Sequence, residues 1–266
     1  MIDMHVHCYP DRIAPKALHS SNVYDGYYET DGTIAGQVAA AKKHGIRKVL
    51  SLNIAYTTDH QYSVNEFASL TDGRDGVIIS LGSVHPYSQS AVDEVQRLYD
   101  MGIRGIKFQP VRQQFFMSDP CCWKVFKKIG DLGMLTVIHC GGSSKTPEFH
   151  VRSYAMRSCI SAFGGAPVVC AHMGGMFYSE KEHREIASLP VFVDTAFSAR
   201  HLDQDGFNRL LDLYGTDRVM FGTDMPWASY AVEMGYINRA PLTAAEREQI
   251  FDGNAARLLN SVGIRV

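Results

Sequence analysis

The stretch IDMHVHC, residues 2–8, is short, apolar and rich in strand-forming residues, yet it ends on two histidines one residue apart. Read as a strand, it places Met4 and Val6 on one face and His5 and His7 on the other. Two imidazoles on one face are able to grip a metal ion between them. The pair alone is weak, because a chain with 11 histidines in 266 residues holds roughly one such H-x-H by chance in every two cases. Its meaning depends on whether other runs end the same way.

Working outward, the same kind of run recurs: KVLSLNI (48–54), VIISLGSV (77–84), RGIKFQP (104–110), LTVIHCG (135–141), PVVCAHMG (167–174), VFVDTAF (191–197) and RVMFGTD (218–224). Between them lie amphipathic helical stretches such as GTIAGQVAAAKKHG, SAVDEVQRLYDMG, CCWKVFKKIGDLG and GFNRLLDLYG, each closing on a glycine, as helix C-termini often do. A last helical stretch, LTAAEREQIFDGNAARLL, starts with Thr243 three residues before Glu246, a capping-box pattern. Near-continuous apolar strands alternating with helices indicate a parallel sheet covered by helices. Eight such units predict an α/β fold of the (β/α)8 TIM-barrel type, a single domain over residues 1–266. No G-x-G-x-x-G or P-loop pattern follows a strand, which argues against a nucleotide-binding open sheet.

Composition agrees: 45% hydrophobic and 20% charged residues suffice for a large core, and a net charge of −2 offers nothing to nucleic acid or an anionic membrane. No 18-residue apolar run suggests a membrane span, and Asp3, His5 and His7 occupy the place where a signal peptide is apolar, so a cytoplasmic protein is expected. The six cysteines form no C-x-x-C pair and read as reduced, structural residues. Cys8 and Cys140 follow His7 and His139 directly, and alternation turns them away from those histidines.

A barrel keeps its chemistry at the C-terminal ends of its strands. There the sequence places His5 and His7 (first strand), His85 (third), Lys107 (fourth), His139 (fifth), His172 (sixth) and Asp224 (eighth). An apolar strand does not end in an ionisable residue without a partner for it. Three or four histidines with one aspartate suit Zn2+ or another divalent first-row metal. An ion held by His5, His7, His139 and Asp224 would bring the pKa of a water toward neutrality. Asp224 would take that water's proton, and His172 would polarise a carbonyl or protonate a leaving group.

The fragments DMHVH (3–7), GSVHP (82–86), GIRGIKFQP (102–110), VIHCGG (137–142), AHMGG (171–175), FGTDMPW (221–227) and GNAARLL (253–259) together resemble the amidohydrolase superfamily, within it the amidohydrolase-2 (amidohydrolase-related) family. The resemblance implies a metal-dependent hydrolase of a C–N or C–O bond, with His5, His7, His139 and Asp224 as metal ligands and His172 as the strand-six histidine. It equally admits a non-oxidative decarboxylase, a lactonase or a hydratase. Related decarboxylases tend to be longer, and the compact chain leans toward hydrolysis. Related members often read K-h-H-P on strand four, where this chain has Gln109. In some branches the strand-four lysine is carboxylated and bridges two metals, which would make Lys107 a further ligand. One ion, with Lys107 free to pair with a substrate carboxylate, is the expectation here. Lys107, His85 and Arg112 are the substrate-binding candidates for a small, carboxylate-bearing molecule, and a homo-oligomer is compatible with the family.

Other residues have plainer readings. His44, His60, His183 and His201 fall in helix or loop stretches and read as surface residues. His85, before a proline, reads equally as a structural strand end. Lys145, Arg152 and Arg200 are loop cations; Phe115, Phe116, Phe149 and Trp227 would wall the pocket or pack the loops.

Overall fold

The computed structural model describes residues 1–20, 28–142 and 146–266. Eight parallel strands follow the chain: β1 Ile2–Val6, β2 Lys48–Leu52, β3 Ile78–Leu81, β4 Gly105–Phe108, β5 Leu135–Ile138, β6 Val168–Cys170, β7 Phe192–Asp194 and β8 Val219–Met220. Each lies inside one of the eight stretches read from the sequence. Neighbours in sequence are neighbours in space, as β1-β2-β3 and β4 through β8. Backbone hydrogen bonds join both edges: Gly82 N to Gly105 O and Lys107 N to Gly82 O between β3 and β4, and Met4 N to Phe221 O and His7 N to Met225 O between β8 and β1. The strands therefore run round a ring.

The helices are α1 Ala14–Ser20, α2 Ile34–Lys43, α3 Gln61–Thr71, α4 Ala91–Asp100, α5 Pro110–Gln113, α6 Trp123–Asp131, α7 Ser153–Cys159, α8 Glu180–Ala187, α9 Gln204–Tyr214, α10 Tyr230–Arg239, α11 Ala244–Glu248 and α12 Asn254–Ser261. Their sequences explain them locally. In α4, Ala91, Val95 and Leu98 repeat at helical spacing and are buried, while Asp93 and Glu94 sit in the first turn, where the helix dipole favours them. Thr243 and Glu246 form the capping box read from the sequence. That last stretch is not one helix. Gln249–Gly253 widens into a π turn, and the Ile250 carbonyl accepts from Phe221 N at 2.9 Å, so the wide turn serves a carbonyl to the end of β8.

Alternation along the strands builds two apolar layers. Ile2, Met4, Leu50, Leu52, Ile79, Leu81, Leu135, Val137, Val169, Ala171 and Met220 form the barrel interior, joined by Leu258, Leu259 and Val262 from α12 and the turn after it. Burying each large side chain contributes about 1.5–3 kcal/mol. Residues one step along, such as Val49, Ile78, Ile106, Ile138 and Val193, face the helices. β1 departs from strict alternation. Its register against β2 runs Asp3 with Val49 and Val6 with Ser51, one extra residue on β1. Met4 thus joins the interior and Val6 the helical layer, so they do not share a face as the sequence suggested.

Cys8 and Cys140 are buried in the helix-facing layer, turned from the histidines as expected, and all six thiols are free. Gly130 lets α6 touch the chain after α7: a Cβ there would lie 2.4 Å from the Phe163 carbonyl oxygen. Gly130→Ala should gain helix propensity worth under about 1 kcal/mol yet lose about 1–3 kcal/mol to overpacking. The expected net result is a lower denaturant midpoint with an unchanged slope.

His183 corrects the surface reading. It is 5% exposed, sharing the inner face of α8 with Ile186, and its Nδ1 lies 3.2 Å from the Tyr214 hydroxyl. Burial pushes its pKa from 6.5 down to about 4. Between those values the unfolded chain binds a proton that the folded one refuses, so stability falls as pH drops through that window. The stability gap between wild type and His183→Gln should narrow by up to about 3 kcal/mol between pH 7.5 and pH 4, read by urea denaturation. His44 is partly buried against Glu29, with Nε2 2.5 Å from its carboxylate, and His201 bonds the Phe197 carbonyl through Nδ1; His60 is exposed as expected.

Candidate metal centre

The strand ends bring His5, His7, His139, His172, Lys107, Asp194 and Asp224 to one end of the barrel. Ligand atoms of His5, His7 and Asp224 lie within 4.8 Å of one another, as do those of His5, His172 and Asp194. His7 Nε2 is 3.1 Å and His5 Nε2 3.4 Å from Asp224 Oδ1.

The outer partners of the rings decide which nitrogens carry hydrogen. His7 Nδ1 sits 2.9 Å from the Leu52 carbonyl and His172 Nδ1 3.0 Å from the Ala196 carbonyl. A carbonyl only accepts, so both Nδ1 atoms are donors. His5 Nδ1 likewise donates to Asp194 Oδ2 at 2.9 Å. With His172 Nδ1 protonated, its Nε2 accepts from His139 Nδ1 at 2.9 Å, and His139 Nε2 is left as a buried lone pair with no hydrogen-bond partner among the described residues. Burial, followed by the nearby Lys107 charge, pushes the His5 and His139 pKa values well below 6.5 and keeps both rings neutral.

Nε2 of His5 and His7 and the Asp224 carboxylate thus meet as acceptors, and His139 Nε2 is a further acceptor outside that close group. Lone pairs 3.1 Å apart on His7 and Asp224 repel unless a proton or a metal cation lies between them. This donor set fits a divalent ion of the first transition row. The Nδ1 bonds to Asp194 and Leu52 are outer partners of the kind that would hold ligating imidazoles in place.

Carboxylates and lysine divide the remaining charge. Burial alone would raise Asp224, but positive charge at His5 and His7, a proton on either ring or an ion in its place, holds its carboxyl below the usual range. Burial raises Asp194 above that range, against His172 and Lys107. Lys107 is fully buried, with Nζ 3.5 Å from His5 Nε2, and burial pushes it down to about 8 against the pull of Asp194 and Asp224.

Backbone geometry aims these groups. His172, Met173, Phe197 and Asp224 have positive φ, 62°, 51°, 64° and 72°. The sharp exit from β6 begins at His172 itself rather than waiting for Gly174 and Gly175. Asp194 anchors it, its Oδ1 accepting from His172 N at 2.9 Å while its carbonyl accepts from Met173 N at 2.7 Å.

Two residues escaped the sequence reading. Asp3, wholly buried, accepts from His5 N (3.0 Å), Thr223 N (3.0 Å) and Thr223 Oγ1 (2.6 Å), fastening the bulge of β1 to the end of β8. Gln113 donates from Nε2 to the Ala55 and Val84 carbonyls, both at 3.0 Å, and accepts from Gln109 N at 2.8 Å. It clamps α5 to the ends of β2 and β3. His85 belongs to that clamp: its Nε2 donates to the Gln113 carbonyl at 2.7 Å and its Nδ1 accepts from Tyr87 N at 3.3 Å. Both its nitrogens are spent on backbone, which leaves none for a substrate. Arg112 on α5 is exposed, and Trp227 packs 5.2 Å from the His7 ring. Phe115 is core, Phe116 and Phe149 pack as tilted rings with centroids 4.9 Å apart, Arg152 pairs with Glu182, and Lys145 lies outside the described residues.

A model of the Amidohydro_2 family, the amidohydrolases, matches residues 2–260. The chain belongs to this amidohydrolase family. Solved structures of the same fold include an uncharacterized TIM-barrel protein from Bordetella bronchiseptica, 16% identical, TM-score 0.77, covering 99% of this chain and 100% of that one. A dihydroxybenzoic acid decarboxylase from Polaromonas sp. JS666, with bound manganese and 2-nitroresorcinol, is 13% identical at TM-score 0.74 over 97% of each chain. A candidate 2-pyrone-4,6-dicarboxylic acid hydrolase from Pseudomonas putida is 16% identical at TM-score 0.70, covering 98% of this chain and 97% of that one. Comparison with curated proteins gave no match. The near-complete overlap with the decarboxylase removes chain length as an argument for hydrolysis. Among the described residues, no helix is long and apolar enough to cross a membrane.

Proposed function

We propose that this amidohydrolase is a metal-dependent hydrolase acting on a C–N or C–O bond of a small molecule, with one divalent first-row ion held by His5, His7, His139 and Asp224. The observation that carries it is the meeting of the His5 and His7 Nε2 atoms with the Asp224 carboxylate, with His139 Nε2 a further buried acceptor at the end of β5 and Lys107 a nearby donor. A donor set richer in imidazole than in carboxylate favours zinc over manganese. The chemistry such an ion supplies is Lewis acidity, polarising a carbonyl oxygen and acidifying a water. Asp224, held ionised by its histidines, is the base that accepts the water's proton. Because His172 Nδ1 is committed to Ala196, the ring protonates the leaving group only from Nε2, and only once the His139 Nδ1 hydrogen bond accepted there is exchanged for a proton.

Decarboxylation is the second reading, supported by the fold shared end to end with a decarboxylase. The two part at the product. Metal-loaded protein offered lactones, amides and aromatic carboxylates should open or cleave the first two classes. Evolution of CO₂ from the third with no hydrolysis would overturn the proposal in favour of the lyase. Elemental analysis should give one ion per chain; two would make carboxylated Lys107 a bridging ligand.

A further inference from the structure

Asp194 closes β7 wholly buried, and its two carboxylate oxygens do different work. Oδ1 accepts two backbone N–H groups, from His172 at 2.9 Å and from Ala196 at 3.1 Å. The Ala196 carbonyl in turn accepts from His172 Nδ1 at 3.0 Å, so Oδ1 steadies both the backbone and the ring of His172. Oδ2 accepts from His5 Nδ1 at 2.9 Å. Gly222, just past β8, leaves room for this pair, since a Cβ there would lie 3.1 Å from His5 Cβ and 3.3 Å from Asp194 Cβ. On the far side of the ring, His5 Nε2 lies 3.4 Å from Asp224 Oδ1 and 3.5 Å from Lys107 Nζ.

A neutral imidazole carries one hydrogen, and the bond made by one nitrogen decides what the other presents. A carboxylate only accepts, so Asp194 draws that hydrogen to Nδ1 and leaves Nε2 as a lone pair. We propose that Asp194 is a positioning residue that fixes the His5 tautomer, and that asparagine in its place would reverse it. An amide has one accepting end and one donating end. The two N–H groups at Oδ1 pin the accepting end there, so the NH2 group would face His5 Nδ1 and require its lone pair. The ring hydrogen would then move to Nε2, where Asp224 receives it and the long contact to Lys107 is given up. The lone pair meant for an ion would carry a proton, with the ring still neutral. His7 and His172 offer no such reversal, because their Nδ1 partners are backbone carbonyls that no side-chain exchange turns into donors. The inference deepens the metal-dependent reading and rests on it only for the ion.

Nitrogen-15 NMR of the metal-free protein with labelled histidine reads the tautomer of each ring. His5→Asn, whose amide is still a donor for Asp194, identifies the His5 signals. Wild type should carry the His5 hydrogen on Nδ1. Asp194→Asn should carry it on Nε2, with His7 and His172 unmoved on Nδ1 as internal references. Zinc affinity, by competition with a chelating dye, should fall about 10–100-fold, the range for losing an outer partner of a metal ligand. A merely structural Asp194 predicts no switch, since asparagine has the same shape and keeps both bonds at Oδ1. A hydrogen on His5 Nε2 in wild type would overturn the proposal before any variant is made. So would an unswitched His5 in Asp194→Asn, or a switch that leaves zinc affinity unchanged. A switch in a protein whose wild type takes up no ion leaves the tautomer assignment standing and sinks the metal-dependent reading instead.

Discussion

His7→Ala should lose its metal ion while keeping its fold, and its turnover should fall with the ion. His7 contributes one of the imidazole lone pairs of the site, and its outer contact is a single bond to the Leu52 carbonyl. Truncation therefore leaves the Leu52 carbonyl short of a donor, while Asp224, 14% exposed, keeps His5 beside it and some contact with water. His5 is a poorer target, because removing it would strand the wholly buried Asp194 carboxylate. A buried charge that loses its partner costs about 3–5 kcal/mol, enough to confuse ion loss with unfolding. Losing an outer partner of a metal ligand already costs about 10–100-fold in affinity, so losing the ligand itself should exceed about 100-fold. Competition with a chelating dye measures the affinity, and circular dichroism of the metal-free protein checks the fold. An ion held as tightly as in wild type would remove His7 from the ligand set.

The second large effect belongs to His172. At φ 62° its backbone is left-handed, a region where asparagine is far better tolerated than alanine. His172→Asn should therefore preserve the turn that Asp194 fastens, keep the metal, and still lose about 10²–10⁴-fold in turnover, the range of a missing general acid. Metal content and single-turnover rate should part company in this variant and move together in His7→Ala. A His172→Asn protein with undiminished turnover would end the role assigned to that ring.

Much of this site was legible in the sequence because hydrophobic strands rarely stop on ionisable residues without cause. His5, His7, His139, His172 and Asp224 each sit just where an apolar run ends, and the structure gathers them. Asp194 carries the same signal in VFVDTAF, but its hold on His5, His172 and Ala196 had no pattern to show it. The bulge in β1 is invisible to a period of two, since an inserted residue leaves both halves alternating. Gln113 has no sequence signature, because its work is done on carbonyls from two other strands. His183 was within reach, three residues before Ile186 on the same helical face, and its polarity concealed its burial.

The centre straddles the seam where the last strand meets the first. His5 and His7 stand on β1, whereas Asp224 follows β8, and its N–H bonds the His5 carbonyl at 2.8 Å. Contacts so distant in the chain are the slowest to form, because the loop entropy must be surmounted first. During folding, seven strands can assemble without any complete ligand set. An ion held by this set would be captured only when the ring shuts, and its affinity would then act as a latch on closure, slowing reopening at the joint between β8 and β1.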